Sequence, residues 1–326
     1  MQRVLVIAAV IVLMTVSLGV GALSANWPFW RRAWSWHTSA DGWPATLTGA
    51  RTIVQGGGAS PLDFAAAAPE LAAVATSADT HVLLRVRSGT ADAWFAPGFD
   101  AASLIDARGL TRLLLLPLYQ QLERDHPGLL EQPVGAWVAA WRQDQRGSLT
   151  LRELLQLATS ELQSPPAPAP LNPFRARSRL ASGSNFERAA LAVFDRDAAP
   201  ASNAPAAAQL LAAVAEEVAG QPFARVLETG LWAKLAARDA VLMLDRRRGQ
   251  AAAHCCMWAT SPDWLRAGLQ LTQAEGLRNY RAAGRMLWVQ PPDAAVLWIG
   301  AGEPPSALET LLAGATGAGD ETPAAE

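Results

Sequence analysis

The chain has 326 residues and a formal net charge of −2 at pH 7. Hydrophobic residues make up 51% of it and charged residues 17%, so the composition predicts a packed core and excludes global disorder. A net charge this close to zero also argues against a nucleic-acid-binding surface or strong binding to anionic lipid, and we expect no nucleic-acid partner.

An uncharged apolar segment follows Arg3 and covers residues 4–25. It is long enough to cross a bilayer, which takes about 20 apolar residues. We therefore interpret residues 1–25 as a transmembrane anchor or uncleaved signal. The alternative is a secretory signal peptide that is removed, because residues 22–24 offer a small-x-small cleavage site. Both interpretations put the soluble domain in the periplasm, and the first makes the bacterial inner membrane a partner of the chain.

The segment after the apolar run is rich in tryptophan, a residue favoured at membrane–water interfaces. Its five tryptophans are Trp27, Trp30, Trp34, Trp36 and Trp43. We predict that residues 26–59 are a juxtamembrane linker. Three consecutive glycines at residues 56–58 predict a flexible joint at its end.

A folded domain is predicted from residue 60 to residue 302. It opens with a helix, a hairpin of two strands and a second, buried helix, over residues 61–77, 81–87, 90–96 and 104–125. A helix over 148–159 follows, in which Thr150 and Glu153 have the spacing of a capping box.

Residues 163–205 are rich in Pro, Ala, Ser and Arg, and this composition predicts an insertion dominated by loops. Two helices are expected after it, over 206–219 and 222–235, ended by Gly220 and begun by Pro222 respectively.

The C-terminal part predicts four strands and one more helix, over 240–245, 251–258, 262–275, 285–290 and 294–299. An antiparallel sheet built from both chain ends, with helices between, is an α+β arrangement. Cys255 and Cys256 are predicted to be free, small core residues, because neighbouring strand residues point to opposite faces. The tail over 303–326 is expected to be flexible.

The sequence HCCMWATSPDWLRAGLQL, residues 254–271, resembles the segment CCL-x-A-T-x-R-D-W-A-R-F-G of the penicillin-recognising serine hydrolases, which include the class C β-lactamases and the 6-aminohexanoate-dimer hydrolases. Two further segments, SLTLRELLQLATSEL and GRMLWVQPPDAAVLWIG, are similar to ITIRHLLTMTSGL and GQRLYVDPERDLVIVRTG of the same family. This resemblance implies a β-lactamase-like fold, with an antiparallel sheet flanked by helices, a helical region, and a cleft where the two meet.

Active members of that family use three groups of residues. A Ser-x-x-Lys motif at a helix N-terminus supplies the nucleophile and a base, a Tyr-x-Asn loop supplies a second proton-transfer group, and a Lys-Thr-Gly or His-x-Gly strand closes the oxyanion side. The resemblance places six residues of this chain at those positions: Asp106 and Gly109 at the first, Ala201 and Asn203 at the second, and Ala282 and Gly284 at the third. No Ser-x-x-Lys occurs in the chain, because Lys234 is its only lysine and Leu231 stands three residues before it.

Loss of a nucleophile or base of such a unit typically lowers the rate on the order of 10⁶-fold. The sequence therefore predicts a pseudoenzyme with no catalytic residues, which acts in binding or assembly with a protein partner or a cell-wall ligand. An amide or ester hydrolase with substituted catalytic residues is the alternative, in which the Asp106 carboxylate attacks; a helix N-cap is the competing role of Asp106. A purely structural protein with a collapsed cleft is a third hypothesis. No metal-ligand spacing occurs, so neither a metal nor another cofactor is expected.

Overall fold

The structure of the protein is a computed structural model. It describes residues 14, 16–17, 21, 27–37, 49–58, 62–76, 79–159, 175–182, 185–271, 278–282, 284–301, 303–308, 310 and 312. The predicted membrane span lies almost wholly outside these residues, as do residues 160–174 of the predicted insertion and most of the predicted tail. Within the described part, no helix combines the length and apolar character that crossing a membrane requires.

Helices and strands alternate along the first half of the described chain. Its elements are α1 (Trp27–His37), β1 (Arg51–Val54), β2 (Ala65–Ala66), α2 (Pro69–Thr76), β3 (Thr80–Arg87), β4 (Thr90–Phe95), β5 (Leu104–Asp106), a 3₁₀ helix (Arg108–Leu114), α3 (Leu115–Asp125) and α4 (Leu151–Thr159).

The second half supplies more helices and then the closing strands. Its elements are α5 (Ala176–Ser182), α6 (Phe186–Val193), α7 (Pro200–Ala219), α8 (Phe223–Gly230), β6 (Ala240–Met243), β7 (Met257–Thr260), α9 (Ser261–Leu271), β8 (Arg278–Ala282), β9 (Arg285–Gln290) and β10 (Ala294–Gly300).

Two sheets organise these elements. The larger has six strands in the order β2-β4-β3-β10-β9-β8, so both ends of the domain meet where β3 pairs with β10. The smaller has four strands in the order β1-β6-β7-β5. Every strand pair is antiparallel except β2 with β4. The α+β class that the sequence predicted is confirmed.

The larger sheet is covered on both faces, because β3 alternates its side chains between two cores. Leu84 and Leu297, which pair across β3 and β10, belong to the main core under the helices. Leu83 and Trp298, the next pair, belong to a second core with Leu308. The strands β8 and β9 at one edge of this sheet also contact the 3₁₀ helix.

Local signals were sufficient for some elements. The hairpin of β3 and β4 and the pair of β9 and β10 lie where the sequence placed them. The capping box of α4 is also confirmed: the backbone N–H of Thr150 donates to Glu153 Oε2 at 2.7 Å, and the backbone N–H of Glu153 donates to Thr150 Oγ1 at 3.2 Å.

The predicted helix over 104–125 is wrong at its N-terminal part. Residues 104–106 form β5 instead, which pairs with β7. Arg108 then has a positive φ of 51°, so the backbone leaves the strand conformation there. The α-helix begins only at Leu115, so Pro117 lies in its first turn, where the missing N–H has no intrahelical partner to lose. Strand pairing, a non-local contact, overrides the helical pattern here.

The chain also adopts structure inside the predicted linker. Arg51–Val54 pair with Ala240–Met243 as the edge strand β1, and Phe29 of α1 is fully buried. The predicted flexible joint is wrong, because Gly56 and Gly57 lie so close to the main chain of Ala237 and Ala233 that a Cβ would stand 2.0 and 1.9 Å from their carbonyl oxygens. The structured chain therefore begins before residue 60.

Cys255 and Cys256 are bonded to each other in a disulfide, so the prediction of two free cysteines is wrong. That prediction assumed a strand over 251–258, but β7 begins only at Met257 and Cys256 has a positive φ of 70°. The alternation of faces that separates neighbouring side chains does not apply outside a strand. Both residues are buried, as predicted.

Candidate functional site

The position expected for the nucleophile lies where β5 leads into the 3₁₀ helix. Asp106 is the last residue of β5, is 5% exposed, and its Oδ1 accepts a hydrogen bond from the backbone N–H of Arg108 at 2.9 Å. A carboxylate that accepts from the second residue after it stabilises the turn into a helix. The N-cap of the 3₁₀ helix is Ala107, without a side-chain cap, so Asp106 stabilises the turn before the helix and is not its N-cap residue.

The 3₁₀ helix itself begins at Arg108, two residues after Asp106. Within it, Gly109 and Arg112 also have the Ser-x-x-Lys spacing, with a glycine where that motif has serine and a cation where it has lysine. Gly109 was a predicted site position, whereas Arg112 was not. The signal that could have found it is a basic residue three positions after a glycine, immediately before an apolar run.

Arg112 is buried, with 6% of its surface exposed, and its pKa is lowered to about 10 by that burial. Its Nε donates to the carbonyl oxygen of Gly109 at 3.3 Å, whereas its Nη1 is buried without a hydrogen bond. Among the residues that the structure describes, no carboxylate forms an ion pair with Arg112. Burying a guanidinium without an anion costs folding free energy. An arginine side chain also supplies no nucleophile.

The first and third predicted positions converge. Arg285, at the start of β9, donates from Nε to the backbone carbonyl of Asp106 at 2.8 Å and from Nη1 to the carbonyl of Gly284 at 2.7 Å. Gly284 has a φ of 66°, and a Cβ there would stand 3.0 Å from Arg108 Nη1 and 2.3 Å from the carbonyl oxygen of Gly300. Arginine side chains therefore occupy the corner between the 3₁₀ helix and β9. Ala282 ends β8, a strand that the sequence analysis missed.

The second predicted position has a different role. Helix α7 begins at Pro200, so Ala201 and Asn203 lie in its first turn and not in a loop before it. Asn203 is 2% exposed, its Oδ1 accepts from the backbone N–H of Asp195 at 3.0 Å, and its Nδ2 donates to the carbonyl of Asp195. Both of these hydrogen bonds stabilise the connection between α6 and α7, in which Asp195 lies.

His254 lies next to Arg112 and is held in a neutral state. Its Nδ1 is 3.0 Å from Gln209 Oε1, which also accepts from the backbone N–H of Ala253. Burial lowers the pKa of His254 to about 3, the main chain of Leu180 partly offsets this, and the charge of Arg112 lowers it further. The ring of Phe186 meets the imidazole edge-on, at 5.1 Å between centroids. The main chain of α5 and the Phe186 ring of α6 thus contact this imidazole.

Neither tyrosine of the chain takes the place of the missing Tyr-x-Asn tyrosine in a loop. Tyr119 is buried in α3 and donates its hydroxyl to the carbonyl of Leu211 at 2.7 Å, and burial raises its pKa well above the ordinary value. Tyr280 is buried within β8. In the described part of the chain, no three His, Cys, Asp or Glu side chains are grouped so that they could hold a metal ion.

The segment that carries the sequence resemblance has a structural role in this chain. Asp263, fully buried in α9, accepts from Thr260 Oγ1 at 2.5 Å and pairs with Arg266 at 2.6 Å. Trp264 donates its Nε1 to the carbonyl of Ile105 at 3.4 Å and meets Trp232 edge-on. The block joins α9 to β5, the strand that leads into the 3₁₀ helix, and so supports the corner.

Comparison with solved structures agrees with this architecture. A protein described as a 6-aminohexanoate-dimer hydrolase from Bacillus anthracis superposes with a TM-score of 0.66 at 12% identity, covering 82% of this chain and 89% of that chain. FmtA from Staphylococcus aureus gives a TM-score of 0.57 at 13% identity, covering 78% and 91%. A class C β-lactamase from Rhodobacter sphaeroides gives 0.51 at 11% identity, covering 76% and 100%.

No family model matches the sequence, and no curated protein matches it. The identities to the solved structures are low, so the likeness is one of fold. The chain therefore has the fold of the penicillin-recognising serine hydrolases, the group of the class C β-lactamases and the 6-aminohexanoate-dimer hydrolases.

Proposed function

We propose that this protein is a non-catalytic member of the serine hydrolase fold, tethered to the bacterial inner membrane, which acts as a binding or assembly partner of a protein or of cell-wall material. The observation that carries the proposal is the absence of Ser-x-x-Lys from the sequence, with Gly109 and Arg112 at that spacing in the 3₁₀ helix. Glycine has no side chain to form an acyl-enzyme, and an arginine with a pKa near 10 is a poor proton acceptor at neutral pH.

The surroundings of these residues support the same conclusion. Asp106, Arg108, Arg112 and Arg285 are each less than 10% exposed, so little of any of these side chains is accessible to a substrate. Each mechanism of the family needs an open position about 3 Å from both a nucleophile and oxyanion donors. The alternative, in which Asp106 attacks a substrate, requires its carboxylate to give up the bond to Arg108 and become exposed.

The experiment is to expose the purified full-length chain to a penicillin and to a fluorophosphonate, and to measure its intact mass. We expect no covalent adduct, and no turnover of a chromogenic cephalosporin or of short-chain esters, with an active class C β-lactamase as the positive control. An adduct or turnover that disappears in Asp106→Ala would replace the proposal by the alternative hydrolase. Activity that survives that substitution would overturn both.

The tether is supported by the uncharged run over residues 4–25. We expect the protein to remain with the membrane after alkaline carbonate extraction, and its intact mass to include residues 1–25. Release into the supernatant, with a mass that begins after residue 24, would instead identify a cleaved signal peptide.

A further inference from the structure

A second feature lies outside the corner described above. A groove of about 620 Å³ separates the start of α1 from the turn that follows β6. Arginine dominates its walls, with six arginines against one aspartate: Arg31, Arg32, Arg51, Arg246, Arg247, Arg248 and Asp245. The lining therefore carries a formal charge of +5, in a chain whose total is −2, which leaves −7 for all other residues. The groove is therefore a local concentration of positive charge.

Arg32 holds the groove together. It is 1% exposed, donates from Nη2 to the carbonyl of Leu244, and lies against Gly49, where a Cβ would stand 2.9 Å from Arg32 Nε. Burial lowers the pKa of Arg32 to about 10, the charge of Asp245 raises it, and Arg31 lowers it. Through its bond to Leu244, Arg32 thus joins α1, on one side of the groove, to the turn after β6 on the other side.

The aspartate of the groove is already engaged. Asp245 is 4% exposed, and its Oδ1 accepts from the backbone N–H of Gln250 at 2.8 Å while its charge faces Arg32. The other five arginines of the lining are exposed, and among the described residues none of them forms an ion pair. Five exposed guanidinium groups on two facing walls can take anionic oxygens by bidentate hydrogen bonds, the geometry that suits phosphate.

Tryptophan accompanies these arginines. Trp27 lines the groove and is 62% exposed, and Trp34 on the same helix is 69% exposed. Helix α1 begins two residues after the apolar run over 4–25. Exposed tryptophan and clustered arginine next to such a run are typical of a surface that lies at lipid headgroups.

We propose that this groove binds the phosphate groups of anionic phospholipids and so orients the domain on the membrane that anchors it. The proposal rests on the tether for its location, while the charge and geometry of the groove do not depend on the tether. It assigns Arg246, Arg247 and Arg248 as the residues that select anionic lipid over neutral lipid.

The experiment measures binding of the full-length chain, diluted from detergent, to vesicles of phosphatidylcholine alone and of phosphatidylcholine mixed equally with phosphatidylglycerol. The apolar segment contributes to both, so the ratio of the two affinities isolates the groove. Each basic residue near an anionic surface changes binding about fivefold. We therefore expect the triple variant R246Q/R247Q/R248Q to lower the ratio on the order of 100-fold.

The control is R87Q/R124Q/R142Q, which removes the same charge from exposed arginines outside the groove and is expected to change the ratio much less. Equal loss in both variants would overturn the proposal, because general charge would then explain the binding. An unchanged ratio in the triple variant, together with binding of glycerol 3-phosphate that this variant loses, would overturn it in favour of a free phosphate ligand. If the parent chain binds phosphatidylcholine weakly but still prefers phosphatidylglycerol, the membrane tether is contradicted and the groove proposal is supported.

Discussion

Two regions of this molecule bury arginine in opposite ways. In the block at the start of α9, Arg266 pairs with the buried Asp263, which also accepts from Thr260. In the corner at the start of the 3₁₀ helix, Arg112 is buried against its own backbone, and no carboxylate pairs with it in the described part of the chain. The block resembles the family in sequence, whereas the corner departs from it at every motif.

The two regions show how a buried charge affects stability with and without a partner of opposite charge. A buried charge that has a partner supports the fold, and removal of that partner is strongly destabilising. A buried charge without an anion adds cost, and is tolerated only where packing compensates or where a ligand supplies the anion. We therefore expect the fold to depend on the block, whereas the corner lacks the Ser-x-x-Lys motif of the family. Four changes would break or sharpen this comparison.

The largest effect is expected for Asp263→Ala, which leaves Arg266 without its ion-pair partner and Thr260 without its acceptor. Breaking a buried pair on one side costs about 3–5 kcal/mol. Urea unfolding checks this against Glu131→Gln, which breaks the exposed pair with Arg152 and should cost less than about 1 kcal/mol. Similar losses in the two variants would show that the block contributes no more than a surface pair.

Arg112→Met should change stability in the opposite direction. Methionine fills a similar volume and removes the charge that no anion offsets, so we expect a gain of about 1–4 kcal/mol in the free energy of unfolding. Arg124→Met, an exposed site, should stay within about 0.5 kcal/mol of the parent. A loss of stability in Arg112→Met would mean that the corner contains an anion bound to this residue.

Gly284→Ala tests how tightly the corner is packed. A left-handed φ costs alanine about 1–2 kcal/mol on its own, and here the new Cβ would also meet the carbonyl oxygen of Gly300 at 2.3 Å. Gly220 is the matched control, because its φ of 64° is nearly the same as the 66° of Gly284 and nothing lies within 4 Å of its Cβ position. We expect Gly284→Ala to cost about 1–2 kcal/mol more than Gly220→Ala. Equal thermal shifts would indicate a loosely packed corner.

His254 should give the corner a dependence on pH. Its folded pKa of about 3 is below the ordinary value of 6.5, so between these values the unfolded chain binds a proton that the folded chain does not. Stability from this group is present above pH 6.5 and is lost as pH falls towards 3, by up to about 1.4 kcal/mol per pH unit. Unfolding of the parent and of His254→Gln at several pH values should differ by this slope. Parallel curves would contradict the buried, neutral imidazole, while His126→Gln, an exposed histidine, serves as the control.

Elements with a local signal were predictable. The capping box of α4 joins Thr150 and Glu153 within one turn, and β9 and β10 are joined by a short turn at residues 291–293. Elements that exist through distant partners were not. β5 pairs with β7 from more than 150 residues away, β1 pairs with β6 across a similar distance, and the disulfide of Cys255 and Cys256 depends on backbone that leaves the strand. Propensity cannot foresee such contacts, because their free energy comes from partners that are remote in sequence.

The sequence by itself determined the fold class, the order of the segments that resemble the serine hydrolases, and the absence of a Ser-x-x-Lys, because each depends only on which residues are present and in what order. Tertiary structure decided the surroundings of the predicted site residues. Gly109 and Arg112 lie in the 3₁₀ helix, and Asp106 accepts a hydrogen bond in the turn before it. Asn203 is bonded to the connection before α7. Tertiary structure also brought α1 and the turn after β6 together as one basic groove. A helix start and a groove wall are set by packing between segments far apart in the chain, and no local pattern records that packing.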